Sequence, residues 1–168
     1  MRFLVALGLV ATGAYAKPEM IRGVREPIYH LYLQAYPEDP TQVVLGPEDT
    51  ADSFEIDGTI QSTNSSMFIN ISDDDTSYKA LSFGETGEMT GWGLEGDTII
   101  TTTASSYGRR KYFKVLGIVL VSDVVTELNF IVCELDAEFW EVFLQTGSDE
   151  PSGRTCSNYQ TIHLPCLC

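Results

Sequence analysis

Apolar positions in this chain fall in short runs separated by Gly, Pro and Asp, which predicts strands and turns instead of helices. Ile28 to Ala35 (IYHLYLQA) opens after Pro27 and stops at Tyr36-Pro37-Glu38-Asp39-Pro40, as a strand ended by a proline turn would. Gln42 to Leu45 predicts a second strand, stopped at Gly46-Pro47. The clearest period of two lies at Met67 to Ile71, with Met67, Ile69 and Ile71 on one face and Phe68 and Asn70 on the other. Asp73-Asp74-Asp75 ends that strand, and Tyr78 to Phe83 follows. Gly84 to Gly96 is glycine-rich around Trp92, and Asp97 to Thr103 is β-prone because branched side chains fit a pleated surface. Leu128 to Cys133 and Phe139 to Thr146 predict two more strands, and Tyr159 to Leu164 could close the sheet. No repeat and no helix beyond a turn or two is evident. The expected fold is all-β, an antiparallel β-sandwich or open barrel stabilised by disulfides.

The first residues follow different rules. Arg2, the apolar run Phe3 to Val10 and the small residues of Ala14-Tyr15-Ala16 form a secretory signal peptide over 1–16, too short to span a bilayer. Residues 17–26 are mostly polar and unpatterned, which predicts a flexible N-terminal arm before a single β-rich domain at 27–168. No membrane span is expected in that domain.

Lys111 to Val125 (KYFKVLGIVLVSDVV) is the most apolar stretch after the leader. One reading is a buried hairpin or central strand. The other is a retained intron of a eukaryotic gene, covering 111–127. Arg110-Lys111-Tyr112 can be encoded as CGT-AAG-TAC, which holds a GTAAGT donor, and Ser122-Asp123 as TCT-GAC, which holds a branch signal. Thr126-Glu127 as ACA-GAA supplies the acceptor. Splicing there would join Arg109 through one Gln to Leu128 without a frame shift.

Charge narrows the partners. The chain has 24 acidic against 10 basic residues, a formal net charge of −14, and loss of the leader with Arg2 makes it one unit more negative. Such a surface repels nucleic acid and anionic lipid and keeps an extracellular protein soluble; a cationic partner or calcium is a secondary reading. The four cysteines, Cys133, Cys156, Cys166 and Cys168, predict two disulfides of open connectivity, although a Cys166–Cys168 bond would close a strained ring. Asn64-Ser65-Ser66 and Asn70-Ile71-Ser72 are N-glycosylation sequons.

Little here points to catalysis. His163, with Cys166 and Cys168, has the ligand types of a soft-metal site, but terminal cysteines in an oxidising compartment are better explained as disulfide partners, and no cofactor is expected. His30 reads as a core or edge residue of its strand. Asp73-Asp74-Asp75 lacks the spacing of a calcium loop and reads as a solvated turn. Glu95, Asp97, Glu134 and Asp136 could supply a glycosidase carboxylate pair, but so acidic a chain always offers some such pair. GxSxG, HExxH, P-loop and dinucleotide motifs are missing from the sequence. Aromatic residues are expected mainly in the core, with Trp92 and Trp140 as candidate sugar platforms if exposed.

Several short pieces carry a family likeness: Pro27-Ile28 with His30-Leu31, Leu45-Gly46, Tyr107-Gly108, and Phe139-Trp140-Glu141-Val142-Phe143 followed by Cys156. On these the chain resembles the small fungal cell-wall proteins associated with phialide development, a group that includes IgE-binding secreted proteins. The resemblance implies a β-rich protein deposited at the wall, without known catalysis, and a Cys133–Cys156 bond. The chain departs from the pattern at Cys166, Cys168 and Lys111 to Glu127. The expectation is a secreted, non-enzymatic extracellular or wall-associated structural protein of a fungus. The alternatives are a carbohydrate-binding module for wall polysaccharide and a secreted glycoside hydrolase.

Overall fold

The computed structural model describes residues 18–88, 91–102 and 130–165, and the backbone of the strands at 112–115 and 118–121. The signal peptide at 1–16, Cys166 and Cys168, and the remainder of 111–127 lie outside the described residues.

The strands, in chain order, are β1 (Arg22–Gly23), β2 (Tyr32–Ala35), β3 (Val43–Gly46), β4 (Phe54–Ile56), β5 (Ile60–Ser62), β6 (Phe68–Ile71) and β7 (Tyr78–Gly84). They continue with β8 (Gly93–Glu95), β9 (Thr98–Ile100), β10 (Tyr112–Val115), β11 (Ile118–Val121), β12 (Phe130–Glu134), β13 (Trp140–Gln145), β14 (Cys156–Gln160) and β15 (Ile162–His163). All pairings are antiparallel, in the order β4-β5-β6-β7-β13-β3-β2-β1-β15-β9-β8. A bridge between Gly58, in the β4–β5 turn, and Trp92, just before β8, brings the two ends together into a nearly closed barrel. Closure removes the unpaired edges that an open sheet would expose.

β13 is the junction. Its residues Trp140 and Glu141 pair with β3, Phe143 to Gln145 pair with β7, and β12 lies along it from Phe130 to Glu134. β12 is buried on both faces: Phe130 and Val132 enter the barrel core, while Ile131 and Cys133 form a second cluster with Phe143. That is why Phe-Ile-Val-Cys reads as a continuous apolar run without alternation. Cys133 faces Cys156 directly in the β12–β14 ladder, and the two are disulfide-bonded. β10 and β11 pair with each other in a separate two-stranded sheet.

Two expectations change. Residues 18–26 are not a loose arm: Glu19 bridges Phe54, Ile21 is fully buried, and β1 lies between β2 and β15. A two-residue strand flanked by polar positions is too short to show alternation. The strand foreseen from Ile28 begins only at Tyr32, because 25–30 forms a turn in which the Leu31 N–H donates to the Ile28 carbonyl at 3.1 Å. His30 therefore sits in the turn, exposed, with φ of 61°. Gly23 permits this turn, since a β-carbon there would lie 2.2 Å from the Ile28 oxygen.

Candidate functional site

The turn joining β12 to β13 is held by Asp136. Its Oδ1 accepts the Glu138 and Phe139 N–H groups at 2.8 and 2.9 Å, and its Oδ2 accepts the Tyr36 hydroxyl at 3.0 Å. Tyr36 follows β2 directly, and Asp39 fixes the bend after it by accepting the Thr41 N–H at 3.0 Å and its hydroxyl at 2.7 Å. The Tyr36 and Phe139 rings meet edge-on, with centroids 5.4 Å apart and planes at 73°. Gly46 in β3 leaves the space for Phe139; a β-carbon there would fall 2.4 Å from the ring. Tyr36, Pro37, Glu38, Ala137, Glu138 and Phe139, with Asp136, line an open cleft of about 380 Å³.

On the other flank of the same turn, Glu134, Leu135, Gly153, Arg154 and Thr155 line a second hollow of about 470 Å³. Arg154 is already engaged there: it pairs with Glu141, donates to the Cys133 carbonyl at 3.2 Å, and lies 5.9 Å over the Phe143 ring. Glu38, Glu134, Asp136 and Glu138 therefore give the turn a negative face.

Desolvation of the hydroxyl, the bond to Asp136 and the neighbouring Glu38 push the Tyr36 pKa up to about 12, so this phenol stays a donor. Hydrogen bonds from Glu138, Phe139 and Tyr36 hold Asp136 below the usual carboxylate range. The cleft thus presents a fixed anion, a phenol oxygen whose proton is already hydrogen-bonded to Asp136, and the Tyr36 ring backed by the largely buried Phe139.

The foreseen residues are scattered. Trp92 is 3% exposed and donates its indole N–H to the Ile69 carbonyl at 3.2 Å, which rules it out as a platform. Trp140 is half-buried against the core, paired with Leu45 and Glu134. Glu95 and Asp97 flank the β8–β9 turn, whereas Glu134 and Asp136 flank the β12–β13 turn. His163 Nδ1 lies 3.3 Å from Asp97 and 3.2 Å from the Thr98 hydroxyl, with Nε2 2.9 Å from Thr161. Asp74 accepts from Ser72 and Thr76 and pairs with Lys79, which together hold its carboxyl far below the usual range.

Among the described residues, no three His, Cys, Asp or Glu side chains converge on a common point, and no helix is long and apolar enough to cross a membrane.

Compared with protein families, curated proteins and solved structures, the chain has no match.

Tyr36 and Phe139 were not singled out as ligand contacts from sequence. Their signal is that Tyr-Pro-Glu-Asp-Pro and Asp-Ala-Glu-Phe are both turn segments that combine an aromatic with carboxylates. Nothing local says that the two turns meet.

Proposed function

We propose that this is a secreted, non-enzymatic, wall-associated protein of a fungus that holds a polysaccharide in the Tyr36–Phe139 cleft. The observation that carries the reading is the combination of aromatic edges with the hydrogen-bonding pair Tyr36 and Asp136 on a rigid turn. Sugars offer apolar C–H faces and hydroxyls, and a shallow groove with aromatic and carboxylate groups can meet both. Surplus negative charge at the rim favours polymers bearing ammonium groups, such as deacetylated amino-sugar chains, over neutral glucans. The family likeness at Leu45-Gly46 and Phe139 to Phe143 supports wall association.

Hydrolysis is the weaker reading. Glycoside cleavage needs one carboxylic acid with a raised pKa to protonate the leaving oxygen. The displaced carboxylate in this cleft, Asp136, is displaced downward.

Retention on chitosan, chitin and β-glucan at low and high salt tests the proposal. Salt-sensitive retention on chitosan, weakened several-fold by paired Glu38→Gln and Glu138→Gln changes, is expected. Failure of the parent protein to bind any of the three polymers would sink it. Fractionating a culture into medium and wall tests the location separately.

A further inference from the structure

The structure separates two sequons that look equivalent in sequence. We infer that Asn64 carries an N-linked glycan and that Asn70 stays unmodified in the folded protein; this rests on the secreted reading above.

Asn64 projects from the exposed turn between β5 and β6. The turn backbone does not depend on its side chain: buried Ser62 accepts the Asn64 and Ser65 N–H groups at 3.2 and 3.1 Å, and its carbonyl accepts the Ser66 N–H at 2.9 Å. Hydrogen bonding from Ser62 and then Asn64 offsets part of the upward pull of burial on the Asp52 carboxyl.

Asn70 is spent. From β6 its Nδ2 donates to the Thr86 carbonyl at 2.9 Å, and its Oδ1 accepts the Glu88 N–H at 3.0 Å. The amide clips the segment after β7 back onto β6. It also lies close over Gly84, where even a β-carbon would stand 2.8 Å from Nδ2. A sugar ring bonded to that nitrogen would have to fit beside the Thr86 bond and over Gly84.

In the transfer, the amide nitrogen bonds the anomeric carbon of a lipid-pyrophosphate-linked oligosaccharide. The carbon–oxygen bond to pyrophosphate breaks, the lipid pyrophosphate leaves, and the amide loses one proton. The co-reactant comes from the secretory compartment. Because transfer acts on the chain before it folds, Asn70 can be reached there, but a glycan on Nδ2 crowds the native clip, whose nitrogen already donates to Thr86 and lies close over Gly84. The folded, exported pool is therefore selected for modification at Asn64 alone.

The full chain is expressed in a yeast secretory host behind its own leader and, in parallel, behind a leader of the host. Intact mass before and after release by a peptide-N-glycosidase in heavy-oxygen water, which converts the glycosylated Asn to labelled Asp, followed by peptide mapping, locates the glycan. One glycan-sized mass step, lost in Asn64→Gln and kept in Asn70→Gln, is expected, with a lowered melting temperature only for Asn70→Gln. Export with the host leader but not with its own would refute the secretion reading and leave this assignment standing. An unmodified Asn64 in exported protein, or a glycan on Asn70 in folded material, overturns it.

Discussion

Replacing Trp92 separates a core role from a sugar-platform role. The indole is 3% exposed, it donates to the Ile69 carbonyl, and its backbone closes the barrel against Gly58. In Trp92→Phe the ring remains but the donor is lost, leaving the Ile69 oxygen without that partner, at a cost of about 1–3 kcal/mol. Trp92→Ala adds a cavity and costs about 3–5 kcal/mol. For a domain of this size each kcal/mol lowers Tm by about 2–4 °C, so drops of about 2–12 °C and about 6–20 °C are expected respectively. Urea unfolding followed by circular dichroism measures both, and Trp140, the second of the two tryptophans, remains as a fluorescence reporter. Polysaccharide retention by the folded variants should match the parent. A Trp92→Ala protein as stable as the parent within about 0.5 kcal/mol, yet unable to bind glycan, would refute the reasoning.

Other consequences follow from the same structure. The Cys133–Cys156 bond joins residues 23 apart and encloses β13, so a double Cys→Ala change should cost about 3 kcal/mol by loop-closure entropy, read as a lower urea midpoint. Asp39, Asp74 and Asp136 are all held below their unfolded pKa values by hydrogen bonds. As pH falls below about 4 the unfolded chain takes up protons first, so the stability these groups add is present above that range and lost beneath it. Urea midpoints from pH 7 to pH 2 should show this decline, with a shallower slope in Asp74→Asn. Asp52, raised by burial, has the opposite sign: its ionisation weakens the fold as pH rises through its folded pKa, so Asp52→Asn should flatten that part of the profile. Replacing Lys111 to Glu127 by a single Gln should leave the melting temperature of the domain essentially unchanged, and cDNA across the junction shows which form is made.

Much of the fold was legible because long strands state their own faces. β3, β7, β12 and β13 fall within a residue or two of the sequence expectation, and the alternation at Met67 to Ile71 places Ile69 and Ile71 in the core. The missed strands are β1, β4, β5 and β8, of two or three residues each, and most of β14, which begins three residues before the foreseen Tyr159. Ile21 just before β1, Phe54 in β4 and Ile60 in β5 carry the burial there, and a lone apolar residue has no period to detect. The disulfide was left open by spacing alone and fixed by register. The cleft was the least legible part, because Tyr36 and Asp136 are 100 positions apart and meet only after β2, β3 and β13 have paired.

The same closure bears on the 111–127 segment. A strongly apolar stretch would be indispensable if the barrel needed it as a strand, since removing an inner strand leaves two open edges. The ring is instead completed by β8, β9 and β15 on one side and β4 to β7 on the other, with Gly58 and Trp92 at the seam. Among the described residues, β10 and β11 pair only with each other. β12 is already paired along both edges, by β13 and by β14, so the hairpin has no place in the ladder beside the strand that follows it. Hydrophobicity made this segment look like the centre of the sheet; the pairing described for β10 and β11 is a two-stranded sheet of their own, and pairing decides whether the ring closes without it.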